Sequence, residues 1–255
     1  MQESWRLRVV PDPAALSEAA ADIVSAAVQQ NPRAAIAVPT GKTPLGMFDV
    51  LAARAARGEI DFSQVTLFCL DEYLGAGPTD PNSLTRWLYE SFIDRVGIMR
   101  DNVHVMAATD SDPKAAAQRY EDELREAGGL DLAVLGMGAN GHIAFNEPGS
   151  AAASRTRMLA LAPESIAQAA AYWHDSLPLP SHAISMGVGT LLEARQLALI
   201  VTGTSKANVL RMALEEPVSA DVPASWLRLA GSRLDVLVDA DAASLLHRDP
   251  TEAKR

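Results

Sequence analysis

Near its middle the chain reads Leu132-Ala133-Val134-Leu135-Gly136-Met137-Gly138-Ala139-Asn140-Gly141-His142-Ile143-Ala144-Phe145-Asn146-Glu147-Pro148-Gly149. The four leading apolar residues carry the signature of a strand buried on both faces of a parallel sheet. Gly136 and Gly138 then allow a sharp turn and a close approach of the backbone to its neighbours. Asn140, His142, Asn146 and Glu147 follow in a segment with neither helical nor strand period. In an open α/β sheet, the loop leaving the carboxyl end of a strand is where ligands bind. An imidazole and a carboxylate in such a loop point to proton transfer on a small polar molecule. A glycine-rich turn with merely satisfied polar residues is the plainer reading, and the density of polar groups tells against it.

The same pattern recurs on either side. Residues 35–38 form an apolar run that enters Thr40-Gly41-Lys42-Thr43-Pro44, residues 65–70 end directly in Asp71-Glu72-Tyr73, and residues 197–202 lead into Gly203-Thr204-Ser205-Lys206. Residues 5–10, 183–186 and 234–238 read as further strands. Helical spacing covers 14–30, 45–57, 84–96, 113–127 and 163–173, with a last helix ending near residue 215. Strands alternating with helices predict an α/β fold, a three-layer sandwich around a mostly parallel, modified Rossmann-like sheet. No repeat or linker interrupts the chain, so residues 1–255 are expected to form a single domain. If the strands are parallel neighbours, the four polar loops gather at one sheet edge.

Each loop has a chemical and a structural reading. Thr40, Gly41, Lys42 and Thr43 lie between a strand and a helix start, where free amides and the helix dipole favour an anion. The spacing is not that of a Walker motif. Thr43 could equally cap the helix, with Pro44 at its first position. Lys206 sits where a cation opposes the helix dipole, so an anionic ligand explains it better than helix stability does. Asp71 follows six apolar residues, and desolvation is expected to raise its pKa above the usual ~3.9 and make it a better base. Glu72 beside it should point elsewhere. His142 brings an imidazole, the side chain best suited to proton exchange with a hydroxyl near neutral pH.

Composition limits the possibilities. Apolar residues make up 48% and charged residues 21%, ordinary values for a globular protein with a sizeable core. The formal charge of -10 argues against nucleic acid or an anionic membrane as partner. The single cysteine, Cys69, rules out an internal disulfide and a cysteine-based zinc site. Buried in an apolar run, it reads as an inert thiol. His104, His174, His182 and His247 lack ligand spacing, so no metal site is expected. No leader or apolar span is visible, which fits a reducing cytoplasm.

Residues 138–149 resemble the signature of the glucosamine-6-phosphate deaminases (isomerases), whose superfamily also includes 6-phosphogluconolactonases and galactosamine-6-phosphate isomerases. The resemblance runs over nearly the whole chain. It implies that Asp71 moves a proton between C2 and C1 of an open sugar and that His142 opens the ring. It further implies that Glu147 orients the histidine, and that the 40–43 turn and Lys206 hold the phosphate. No cofactor is implied, and a homo-oligomer is compatible with it.

Several positions depart from the family pattern. Lys42 replaces a small residue, and Asn140 stands where some members carry aspartate and can only hydrogen-bond. The family's phosphate arginine falls on Ala171, leaving Lys42, Lys206 and His174 as the expected replacements. Leu159 replaces a lysine of the activator site in allosteric members. Related phosphosugar reactions, or a non-catalytic sugar-phosphate sensor, are the rival readings. The sensor is disfavoured by the acidic charge and by the presence of Asp71, His142 and Glu147 together.

Overall fold

The computed structural model describes residues 4–170, 173 and 178–247. Along the chain its strands are β1 Arg6–Val10, β2 Ala35–Val38, β3 Thr66–Cys69, β4 Asp71–Tyr73, β5 Val103–His104, β6 Leu132–Leu135, β7 Arg157–Ala160, β8 His182–Ser185, β9 Gln196–Val201 and β10 Leu234–Asp239. Its helices are α1 Pro13–Gln30, α2 Leu45–Ala56, α3 Leu84–Leu88, α4 Asp94–Val96, α5 Pro113–Glu126, α6 Pro163–Ala170, α7 Val188–Leu192 and α8 Ala207–Glu215. Seven strands make one sheet in the order β1-β10-β9-β6-β2-β3-β5, every neighbouring pair parallel.

Period-2 alternation explains why the strand runs are apolar throughout. Ile36, Val38, Leu67, Val134 and Ile200 pack on one side with Leu16 and Val24 of α1 and Phe48 and Leu51 of α2. Ala37, Phe68, Leu135 and Leu199 face the other way, into Tyr120 and Leu124 of α5 and Leu210 and Leu214 of α8. With both faces covered, no position on the central strands can be polar without losing hydration. The expected α/β sandwich is therefore what forms.

Two helices start on aspartate followed by proline. Asp12 accepts from Ala15 N at 2.8 Å, and Asp112 accepts from Lys114 N and Ala115 N at 3.1 and 3.0 Å. Residues 84–96 are helical as expected, but a π-turn over Tyr89–Ile93 separates α3 from α4. That turn carries Phe92, which stacks on Phe48 with ring centroids 4.5 Å apart.

A feature without a sequence signal is the second sheet. β4, β8 and β7 pair antiparallel in that order, so the strand read at 183–186 forms over His182–Ser185 and joins this small sheet and not the parallel one. Asp71 and Arg157 both lie opposite Ser185 in the register, and this row of three shares one face. Among the described residues, no helix is long and apolar enough to cross a membrane.

Candidate active site

β9, β6, β2 and β3 are consecutive parallel neighbours, so the turns that leave their carboxyl ends crowd one edge of the sheet. These are the four polar loops singled out above: residues 40–43, 71–73, 140–147 and 204–206.

The loop after β6 is held in an unusual shape. Gly138 N donates to His142 O at 2.9 Å and Gly141 N to Gly138 O at 3.1 Å, folding the chain back on itself. The imidazole lies over Gly138, where a methyl group would stand 2.2–2.4 Å from three ring atoms. Only glycine leaves room for the ring. Gly141 has φ +84° and is pressed against Val222. Ala144 has φ +46°, left-handed backbone that a residue with a Cβ rarely adopts.

The surroundings over-determine that shape. Buried Asn146 donates to Ile143 O at 2.9 Å and Met186 O at 2.8 Å, and its Oδ1 accepts from Arg157 Nη1 at 2.9 Å. Arg157 Nη2 reaches Ser150 Oγ at 2.9 Å. Phe145 N donates to Ser185 Oγ at 3.1 Å, tying the loop to the small sheet opposite Asp71. Ala224 N donates to Gly141 O and Gly149 N to Ala220 O, both at 2.8 Å, which adds a brace from residues 220–224.

His142 and Glu147 meet inside this frame. Glu147 Oε2 stands 3.4 Å from His142 Nδ1 and accepts from Asn140 Nδ2 at 2.9 Å, while Oε1 accepts from Ala162 N at 3.1 Å. Burial works against the Glu147 charge, but hydrogen bonds from His142, Ser165 and Asn140 outweigh it and bring its pKa down to about 2. Glu147 is thus an anion at neutral pH. Asn140 acts as a hydrogen-bonding amide, as expected of it, and its Oδ1 also accepts from His142 N at 3.1 Å.

Asp71 has the opposite setting. It is 7% exposed, and among the described residues its carboxylate has no hydrogen-bond donor. Burial, with a smaller push from the Glu72 charge, lifts its pKa to about 7. The expected rise is present, and a carboxylate with that pKa is able to accept a proton near neutral pH. Glu72 does point elsewhere. Its carboxylate caps α3, accepting from Ser83 Oγ at 2.6 Å and from Leu84 N, Thr85 N and Tyr73 N at 2.9 Å.

The two turns expected to bind an anion differ from their sequence reading in detail. Thr43 does not cap α2. Pro44 itself occupies the N-cap position in helical conformation, with no side-chain cap, because the chain already turns from Lys42 O to Leu45 N before the helix begins. Gly41 and Lys42 are exposed, and Thr40 and Thr43 half-buried. Thr204–Lys206 is a 3₁₀ turn preceding α8, so Lys206 stands at the helix N-cap. Both oxygens of buried Asp239 accept from Gly203 N, fixing the entry to that turn. Burial lowers the Lys206 pKa, and no carboxylate among the described residues pairs with it. Ala171 and His174 lie outside the described residues.

Some participants escaped the sequence reading. Ser165 of α6, 3% exposed, places Oγ 3.4 Å from His142 Nδ1. Its sequence setting, Pro163-Glu164-Ser165, reads as an ordinary helix start. Gly138 was legible as a turn but not as the seat of an imidazole. Tyr73 and Phe145, with ring centroids 5.3 Å apart, and Trp173, 5.2 Å from Tyr73, bring aromatic faces to the same region. No group of three or more His, Cys, Asp or Glu among the described residues is arranged to hold a metal.

Comparison with known proteins gives this arrangement a lineage. Residues 12–236 match the family described as glucosamine-6-phosphate isomerases/6-phosphogluconolactonase. The glucosamine-6-phosphate deaminase of Hahella chejuensis is 38% identical over 241 residues, 94% of this chain and 92% of the relative. That of an Arthrobacter species is 40% identical over 238 residues, 93% and 91% of the two chains. A solved monomeric glucosamine-6-phosphate deaminase superposes with a TM-score of 0.90 at 33% identity, covering 94% of this chain and 99% of its own. A 6-phosphogluconolactonase from Trypanosoma cruzi shares the fold at a TM-score of 0.78 and 19% identity. With the match running through both sheets and all four loops, the chain belongs to the glucosamine-6-phosphate isomerase/6-phosphogluconolactonase family.

Proposed function

We propose that this protein is a glucosamine-6-phosphate deaminase, converting glucosamine 6-phosphate and water to fructose 6-phosphate and ammonia. One observation carries the reading. Two buried carboxylates in opposite electrostatic settings, Asp71 and Glu147, share a sheet edge with an imidazole and with two turns suited to a phosphate. Pairs of titratable groups pushed apart in this way divide acid and base roles between them.

In this reading Lys206 and the amides and hydroxyls of Thr40, Gly41 and Thr43 hold the phosphate, with Lys42 at the rim. His142 Nε2 takes the proton of the C1 hydroxyl and delivers one to the ring oxygen, so the C1–O5 bond breaks and the aldehyde forms. Glu147, anionic beside Nδ1, stabilises the imidazolium between these transfers. Asp71 then removes the C2 proton while the C2 ammonium gives one of its protons to the C1 oxygen, leaving an enolamine, and Asp71 returns the carbon-bound proton to C1. The resulting C2 iminium adds water and releases ammonia, and no electrons are gained or lost. A positioned base contributes ~10²–10⁴-fold, and orientation by the phosphate supplies much of the rest. Every group named comes from one chain, read here as one catalytic domain, and the reaction needs no cofactor.

The test is product formation from a panel of glucosamine 6-phosphate, galactosamine 6-phosphate and 6-phosphogluconolactone. Ammonia and fructose 6-phosphate should appear together, in equal amounts, from the first substrate. Hydrolysis of the lactone without ammonia release from either amino sugar would overturn the assignment.

A further inference from the structure

We propose that Ser165 is a positioning residue for His142, its hydroxyl holding the ring with protonated Nδ1 inward and Nε2 free to face the substrate. Ser165 lies in the first turn of α6 and is 3% exposed. Its Oγ is 3.4 Å from Nδ1, the same distance at which Glu147 Oε2 stands. Ser165 is also among the groups that hold the Glu147 pKa down, so its hydroxyl serves that carboxylate as well.

The donor count selects one tautomer. An ionised carboxylate can only accept, and a hydroxyl has one proton to give and lone pairs that accept. An ionised carboxylate is a stronger acceptor than a neutral imidazole nitrogen, so the Ser165 proton is drawn to Glu147 and a lone pair is left facing Nδ1. Both neighbours of Nδ1 are then acceptors, which places the ring proton on Nδ1 and leaves Nε2 unprotonated. A half-turn of the imidazole would instead present a carbon to both acceptors, leaving a buried carboxylate short of a donor. The flat seat over Gly138 does not oppose such a rotation on its own, because either ring face fits it. Ser165 and Glu147 together supply the directional part. Ala162 N, on the segment leading into α6, donates to the same carboxylate, so the helix is anchored where its serine is needed.

The kinetic consequence rests on the ring-opening role proposed above, whereas the tautomer does not. The experiment therefore has two arms on the full-length protein. Long-range ¹⁵N–¹H correlation spectra of ¹⁵N-histidine protein, assigned with His142→Gln, should show His142 protonated at Nδ1. Ser165→Ala should give a mixture of tautomers. Ser165→Cys fills the same space but is a weak hydrogen-bonding group, and it should behave like the alanine variant. In the kinetic arm, both variants should lose about tenfold in kcat on glucosamine 6-phosphate with KM changed less than about twofold. A wild-type tautomer pattern in both variants would overturn the proposal, as would a cysteine variant that keeps the pattern while alanine loses it, since that result assigns Ser165 to packing. A wild-type protein that releases no ammonia would defeat the proposed function and leave the spectroscopic arm to decide the role of Ser165.

Discussion

Asp71 at the exit of β3 and Glu147 in the loop after β6 are buried to the same degree, 7% and 8% exposed, and titrate about five pH units apart. Surface exposure alone does not separate them, although Asp71 lies deeper within the surrounding protein. Glu147 has donors on both oxygens and an imidazole beside it, whereas Asp71 has burial and a like charge next door. Glu72 marks the limit of the argument: less exposed still, it remains raised in pKa despite four hydrogen bonds. A carboxylate is kept anionic by donors only when they outweigh its desolvation. At this sheet edge the balance leaves one anion beside an imidazole and one carboxylate whose pKa lies near neutrality, the division of labour that the proposed reaction uses.

The sharpest way to break that contrast is Asp71→Asn. We expect kcat to fall by ~10³-fold or more with substrate binding largely kept, because the amide has no proton-accepting role. Solvent exchange of the C2 proton at the wild-type rate would remove Asp71 from the base role. In the wild type kcat/KM should fall as pH drops below about 7, as the base becomes protonated. Stability should move the other way. Asp71 has a folded pKa raised from 3.8 to about 7, so its contribution is fully present below pH 3.8 and is lost as pH rises through 7. Asp71→Asn should therefore have a larger unfolding free energy than wild type at pH 8, by at most ~4 kcal/mol, and the gain should vanish toward pH 4. Glu147→Gln should do the reverse, losing stability at pH 7 and converging with wild type as the pH falls through about 2.

His142 comes next. His142→Gln should slow the closed sugar by about 10²-fold or more while sparing an analogue trapped in the open form, and equal losses on both would place His142 in another step. Gly138→Ala sharpens the same point without touching a titratable group. Its methyl would fall on the imidazole, which has to move. We expect a folded protein with kcat down by ~10–100-fold and KM little changed, the signature of a displaced catalytic group.

Much of this architecture is written locally. The runs 35–38, 132–135 and 197–202 are apolar at every position because each strand faces two helix layers, and that pattern is visible in sequence. The convergence of four polar loops follows once the strands are parallel neighbours. The small sheet is not visible, because Asp71-Glu72-Tyr73 is too short to show a period and its partner, β8, is more than a hundred residues away. Thr43 misled because a threonine before a proline fits a cap equally well, and tertiary geometry put the proline in that place. Ser165 is silent in sequence for the opposite reason. Its partners, His142 and Glu147, reach it only through the folded loop.

Cations at this edge repeat the lesson with the sign reversed. Lys206 and Arg157 both have pKa values lowered by burial and no carboxylate partner among the described residues. Arg157 is occupied by Asn146 and Ser150, whereas Lys206 makes no such side-chain contact among the described residues. Lys206→Ala should raise KM about 30-fold or more with a smaller change in kcat. Lys42, exposed at the rim, should raise KM about tenfold when changed to alanine, equivalent to ~1.4 kcal/mol of binding. Unchanged KM in Lys42→Ala would leave the phosphate to Lys206 and the backbone amides. A larger effect from Lys42 than from Lys206 would reverse the assignment of the anchor.

The smallest expected effect is none at all, and it concerns regulation. Resemblance to the allosteric deaminases implies an activator site that uses a lysine where this chain has Leu159. The side chain there is committed to another purpose. Leu159 packs with Phe145, Leu161 and Ala183, and shares their apolar cluster with Tyr73, Leu84 and Ile166. Opposite it in the register of the small sheet are Ala183 and, beyond that, Tyr73. A phosphate brought to this point would meet hydrocarbon and would lose hydration without gaining a donor. Arg157, two residues earlier on the same face of β7, is the nearest cation on the strand, and its guanidinium already bonds Asn146 and Ser150 in support of the catalytic loop. We therefore expect hyperbolic rates against glucosamine 6-phosphate, and less than a twofold change on adding N-acetylglucosamine 6-phosphate. Sigmoidal rates that this ligand abolishes would contradict the argument. They would also identify Arg157 as the group to change next, since it alone on β7 could answer the phosphate while holding Asn146 in the loop that carries His142.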